Sequence, residues 1–294
     1  MSFRPLFCRT LCLLGLGALT VCSARAQLTI LPLGDSITFG YNVNSDQPNA
    51  GSAGYRYQLF EDLGGSTSDV TFLGSQSDNG SVSSGLPMLP GSETANEGHN
   101  GYTIEGVDAE LEGNGNTQSG RSGSNNGGYW LTSGTPGGTP LNPAVVLLDI
   151  GTNDATDGES AATMESQLTS LLTDLKTDLP NSQILVGNLT PRTDNSGEEA
   201  VEEAYNADVP TIVADENSSN FHFVDIHDAV PASDINTVDG QHPTAAGYAQ
   251  MGNAWDSALV ADGIVQGVPE PSTYALMGLG LVAFVAFGRF RKIA

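Results

Sequence analysis

Cysteine and positive charge are what this chain has least of. It holds three cysteines in 294 residues, and Cys8, Cys12 and Cys22 all fall within the first 26. The rest of the chain can form no disulfide, offers no thiolate nucleophile and has no cysteine to ligate a metal. Ten Lys and Arg face 34 Asp and Glu. Residues 27–268 keep only Arg56, Arg121, Lys176 and Arg192 against 33 acids, a net charge of −29. Nucleic acids and anionic membranes are held through clustered Lys and Arg, so this composition excludes both as partners. It also argues against a polyanionic substrate such as pectate unless cations screen it. A neutral or weakly charged substrate fits the charge, and so does a simple need for solubility outside a cell.

Long apolar runs are scarce too, and they mark the two ends. Arg4 and Arg9 precede Leu11 to Val21, and Ala24-Arg25-Ala26 offers small residues at −3 and −1. Residues 1–26 therefore read as a secretory signal peptide cut between Ala26 and Gln27. A lipoprotein signal through Cys22 is less favoured, because Val21 stands where a small residue is wanted. At the other end, Val268-Pro269-Glu270-Pro271-Ser272 leads into an apolar run from Tyr274 to Phe287 and then Arg289-Phe290-Arg291-Lys292. The run is shorter than the roughly 20 residues of a stable span, and its basic end stays cytoplasmic while the rest is exported. Residues 269–294 resemble the PEP-CTERM sorting signal of bacteria that make extracellular polysaccharide. The resemblance implies transient membrane insertion of the tail, recognition by an exosortase and cleavage near Pro-Glu-Pro; the rival is an ordinary membrane anchor.

Residues 27–268 have the length of one domain. Strand-like runs occur at Leu28 to Leu33, Val70 to Leu73, Ala144 to Ile150, Ile184 to Val186 and Phe221 to Ile226. The third is almost wholly apolar, as in a strand covered on both faces. Helices are predicted at Tyr55 to Leu63, Ile104 to Leu111, Ser160 to Leu179, Glu198 to Asn217 and Ala245 to Val260. The fourth is expected to break at Pro210, and Ser160 is the expected cap of the third. Alternating strands and helices predict an α/β fold, a three-layer, doubly wound parallel sheet of five strands. Residues 112–140, rich in Gly, Ser and Asn, read as a long loop insertion. Within it, Tyr129-Trp130-Leu131 either pins the loop to the body or stacks on sugar, and pinning is favoured.

Three short motifs carry the chemistry: Gly34-Asp35-Ser36-Ile37-Thr38, Gly151-Thr152-Asn153-Asp154 and Asp239-Gly240-Gln241-His242-Pro243. Ser36 follows a strand, at the edge where open α/β sheets place their ligands. A serine hydroxyl is a weak nucleophile without an adjacent base. His242 is the candidate, and Asp239, three residues earlier, can hold its other ring nitrogen. A tetrahedral intermediate also needs donors for its oxyanion. The main-chain N–H of Ser36, the side-chain amide of Asn153 and the N–H of Gly101 are the candidates, with Gly98 a substitute for Gly101. Asp35 and Asp154 read as loop-holding acceptors. His99, His222 and His227, with Asp225 and Asp228, suggest a metal site but lack ligand spacing, and packed or solvated histidines are favoured. Arg56 reads as an ion-pair former.

GDSIT, GHNGYTI, GTND and DGQHP together resemble the four blocks of the SGNH (GDSL) hydrolase family, in order and across the whole domain. Gly54-Tyr55-Arg56, FLGSQ (residues 72–76) and EGHNGYTI (residues 97–104) are similar to its acetylxylan-esterase-like carbohydrate esterases. The resemblance implies a flavodoxin-like fold with Ser36 as nucleophile, Gly101 and Asn153 as oxyanion donors, and His242 as base supported by Asp239. It implies a secreted esterase that takes acetyl from O-acetylated polysaccharide or oligosaccharide and requires no cofactor and no metal. A lipase, lysophospholipase or thioesterase is the alternative enzyme. A non-catalytic, polysaccharide-binding matrix protein is the alternative of another class.

Overall fold

The computed structural model describes residues 27–41, 53–77, 89–91, 93–112, 131 and 140–265. Residues 1–26, most of 112–140 and the whole of 269–294 lie outside the described residues, and so do the expectations placed on them. The strands are β1 (Leu28–Gly34), β2 (Val70–Phe72), β3 (Gln76–Ser77), β4 (Ala95–Gly98), β5 (Val145–Asp149), β6 (Gln183–Gly187) and β7 (Phe221–Val224). The helices are α1 (Ser36–Phe39), α2 (Tyr55–Asp62), α3 (Ile104–Glu112), α4 (Thr152–Thr156), α5 (Ala161–Asp178), α6 (Ser196–Asp215), α7 (Ile226–Ala229) and α8 (Ala245–Ala261).

β1 is central. One edge pairs in parallel with β2 along Leu28 to Ile30 and with β4 at Leu33 and Gly34. The other edge pairs with β5, followed by β6 and β7, all parallel. β3 runs antiparallel beside β4 and closes that side. All five expected strands are present and parallel, but the sheet has seven strands rather than five, because β3 and β4 extend one side.

The pleat of these strands divides the core. Val146 and Leu148 of β5 point with Leu31 and Leu33 into a layer built from α3, α5 and α6. Val145 and Leu147 join Ile30 and Leu185 in the layer under α2 and α8. Leu168, Leu171, Leu172 and Leu175 form the buried stripe of α5, and the Ser160 hydroxyl accepts from Thr163 N–H at its start. Gly252 of α8 lies so close to α2 that an added Cβ would come within 2.8 Å of the Tyr55 carbonyl.

Two expectations change. α6 runs unbroken through Pro210. Proline forfeits one helical hydrogen bond there, but Tyr205, Val209 and Val213 keep the helix seated on the core to either side. Ala-Asn-Glu-Gly forms β4, which no apolar alternation announces. Its buried polar side chains find partners: Asn96 accepts Gly98 N–H at 2.9 Å, and Glu97 accepts the Ser75 hydroxyl at 2.7 Å. Of the aromatic spot in the long loop, Leu131 is described, and it is buried in the core layer of α3 and α5.

Candidate active site

The carboxyl ends of β1, β4 and β5 meet at one place. Leaving β1, Asp35 caps α1 by accepting Ile37 N–H at 2.8 Å, which sets Ser36 as the first helical residue. The first N–H groups of a helix lack an intrahelical acceptor, so the Ser36 amide is of the kind that receives an anion. Ser36 is buried, and its hydroxyl lies 2.8 Å from His242 Nε2.

His242 comes from the far end of the domain. Its Nδ1 is 2.6 Å from Asp239 Oδ2, while Asp239 Oδ1 accepts the main-chain N–H of Gln241 and of His242 itself, each at 3.2 Å. Burial works to raise Asp239, but hydrogen bonding and attraction to His242, with the two main-chain donors, hold it below the usual carboxylate range. An ionised Asp239 requires Nδ1 to carry the proton, leaving Nε2 free to accept one from Ser36. The turn itself is braced, since Asn236 donates to the His242 carbonyl at 2.8 Å and Thr193 to that of Gly240 at 2.7 Å. Thr244 then caps α8.

Asn153 stands in α4, just past β5. Its side-chain amide donates to the Tyr102 carbonyl at 2.9 Å and to Asp35 Oδ2 at 3.2 Å. Asp154 beside it accepts Ile104 N–H at 3.1 Å and so caps α3. Both aspartates thus hold loops, as their positions suggested. Burial pushes Asp35 up to about 6 and Asp154 up to about 8. Gly101 belongs to the turn between β4 and α3, closed by Tyr102 N–H on the His99 carbonyl at 3.0 Å. Its φ of 82° is a conformation that suits glycine.

The remaining histidines are engaged elsewhere. His99 Nε2 meets Glu97 at 2.8 Å, His222 lies between Gln183 and Asp262, and His227 reaches the Leu189 carbonyl at 3.0 Å. Among the described residues, no group of three or more His, Cys, Asp or Glu is arranged to hold a metal ion. Arg56 is buried and donates to the carbonyls of Thr94 at 2.9 Å and Phe39 at 3.2 Å, tying α1 to β4.

This order of serine, asparagine, aspartate and histidine at the carboxyl edge of a parallel sheet has known counterparts. Residues 33–250 match the GDSL-like Lipase/Acylhydrolase family. The chain belongs to that family. A multidomain esterase of Ruminococcus flavefaciens is 30% identical over 239 residues, which are 79% of this chain and 28% of that protein. The chain thus spans little more than a quarter of that relative. The structure is similar to a family 3 carbohydrate esterase of Clostridium thermocellum, with 26% identity, a TM-score of 0.57, and coverage of 80% of this chain and 96% of the other. It shares its fold with a family 3 carbohydrate esterase from Talaromyces cellulolyticus, with 19% identity, a TM-score of 0.60, and coverage of 82% and 100%. Residues 267–292 match the PEP-CTERM protein-sorting motif, which marks an exported, cell-surface-associated bacterial protein.

This member of the GDSL-like family carries two features at its candidate site that the motifs did not signal. Arg192, after β6, donates to the Thr152 carbonyl at 3.2 Å and to Glu202 at 2.9 Å. With Thr193 on Gly240, that segment braces both the asparagine helix and the histidine turn. The second is Asp149, at the end of β5. It is buried, and neither carboxyl oxygen has a hydrogen-bond partner among the described residues.

Burial, then repulsion from Asp35 and Glu202, pushes Asp149 well above the usual carboxylate range. The folded chain thus keeps a proton that the unfolded chain releases near pH 4. Each such group makes stability fall as pH rises, from the unfolded value up to the raised folded one. Asp154 and Asp35 act in the same direction, so Tm is expected to decline between about pH 4 and pH 8. Asp149→Asn, which is neutral at every pH, should flatten this decline by up to about 1.4 kcal/mol per pH unit. Thermal denaturation across that range checks it, and an unchanged slope would contradict the assignment.

Proposed function

We propose that this chain is an exported serine esterase that removes acetyl groups from O-acetylated carbohydrate through an acyl-serine intermediate. The observation that carries the reading is the continuous chain of hydrogen bonds from Ser36 through His242 to Asp239. In the first step His242 Nε2 takes the hydroxyl proton as Ser36 Oγ attacks the ester carbonyl. Asp239 stabilises the imidazolium that forms. The oxyanion is received by the N–H groups of Ser36 and Gly101 and by the Asn153 amide, which exchanges one of its present acceptors for it. Collapse of the intermediate expels the sugar oxygen, which takes its proton from His242. A water molecule, deprotonated by the same nitrogen, then frees acetate and Ser36.

The carbohydrate esterases among the similar structures support the choice of substrate, and an acidic surface suits a neutral acetylated sugar. The PEP-CTERM motif supports processing by an exosortase, with residues 1–26 acting as the export signal. It makes the producing organism's own exopolysaccharide a natural substrate. Two measurements test the reading together. Acetate release from acetylated xylan, mannan, pectin and microbial exopolysaccharide is expected to be highest on a neutral polymer. Turnover of nitrophenyl esters is expected to drop steeply beyond about C4, and a preference for long chains would point to a lipase or thioesterase instead.

A further inference from the structure

We infer that Tyr41 is the platform on which the sugar of the leaving group rests; this builds on the carbohydrate-esterase reading. The alcohol that departs takes its proton from His242 Nε2, so it leaves on the histidine side of Ser36. Among the described residues, the aromatic ring packed beside that histidine is Tyr41, whose centroid is 4.6 Å from that of His242, with the two rings tilted by 46°.

The position of this ring is fixed. Gly40 ends α1 in the left-handed conformation with φ 86°, and Tyr41 N–H closes back on the Ser36 carbonyl at 2.9 Å. On its other side the Tyr41 carbonyl accepts the Tyr248 hydroxyl of α8 at 3.0 Å. The main chain of Tyr41 is thus tied both to the turn that bears the nucleophile and to the helix that follows the base. Its side chain is left half-buried rather than absorbed into either core layer.

His242 does not need Tyr41 to hold it. Its ring is fixed by Asp239 and its main chain by Asn236 and Asp239. A rigid, half-exposed aromatic face beside the proton donor instead suits a ligand with a flat apolar face, which a pyranose presents through its C–H groups. Little side-chain freedom is lost on binding, because the backbone is already anchored.

The test compares two acetate esters that differ in the alcohol: xylose tetraacetate, with a ring, and ethyl acetate, without one. For the wild-type chain and for Tyr41→Ala, Tyr41→Leu and Tyr41→Phe, the ratio of kcat/KM on the sugar ester to that on ethyl acetate is measured. The ratio is expected to fall about tenfold in Tyr41→Ala, mainly through KM, and to stay near the wild-type value in Tyr41→Phe. Tyr41→Leu keeps bulk beside His242 but no flat face, so it should fall with Ala. An unchanged ratio in Ala and Leu would overturn the platform, whether or not both activities drop, because Tyr41 would then serve only the histidine. A wild-type chain inactive on both esters would instead overturn the esterase reading beneath it.

Discussion

Ser36→Ala is expected to lower kcat on any ester substrate by about 10⁴–10⁶, with His242→Ala costing about as much and the double variant losing little more. The reason is that Ser36 and His242 act as one unit. The hydroxyl is 2.8 Å from Nε2, and without that acceptor it must attack while still holding its proton. Without the hydroxyl, the imidazole has nothing to activate except water, which is not held in place as the serine is. What remains comes from substrate positioning and oxyanion donors alone. Substrate affinity should change little, because neither side chain anchors the sugar. Steady-state kinetics of the three variants checks this, with labelling by a fluorophosphonate as a second readout: Ser36→Ala should not label at all. If the double variant lost the product of the two single losses, the two residues would be acting separately. Turnover retained by Ser36→Ala would end the acyl-serine mechanism.

Asn153→Ala is expected to cost about 10²–10³ in kcat with a smaller change in KM. In the free protein both amide hydrogens are taken, one by the Tyr102 carbonyl and one by Asp35. The amide is thereby aimed before substrate arrives, and the developing oxyanion has only to displace one of these two acceptors. A ground-state carbonyl is a poorer competitor for those hydrogens than an oxyanion, so the loss should appear in kcat rather than in KM. The same bonds join α4 to α1 and to the turn after Gly101, so the alanine variant should also melt earlier, by about 1 kcal/mol per lost bond. Asn153→Asp replaces the amide donors with an acceptor-only carboxylate and should be as inactive as alanine. Equal kcat in wild type and Asn153→Ala would remove Asn153 from the oxyanion hole.

The parts of this fold that were legible in the sequence are those whose signal is local. Ala144 to Ile150 announces a doubly covered strand by composition, and Ser160 with the leucine stripe announces α5. The serine, asparagine and histidine could be read because each sits in a short motif, the first two just past strand ends and His242 just ahead of α8. β4 could not, since its buried side chains are the polar Asn96 and Glu97, held by hydrogen bonds to Gly98 and to Ser75 rather than by their own apolarity. Pro210 misled for the converse reason: the local penalty is real, but the packing of Tyr205, Val209 and Val213 outweighs it. Tyr41 and Arg192 have no signal of their own. Their neighbours in space are His242 and Thr152, and only the closed structure brings them there.

The sequence separation of 206 between Ser36 and His242 also has a consequence for folding. The proposed nucleophile lies just past β1 and the proposed base just before α8, and the Tyr248 anchor of Tyr41 lies within α8 itself. A nascent chain that has completed β1 to β7 still holds a serine with no base. On the proposed mechanism the site is therefore complete only once α8 is packed on α2, with the histidine turn at the edge of β1. A chain cut ahead of Asp239 would lose the proposed base and, with α8, four side chains of one core layer, so it is expected to lack both activity and a stable fold.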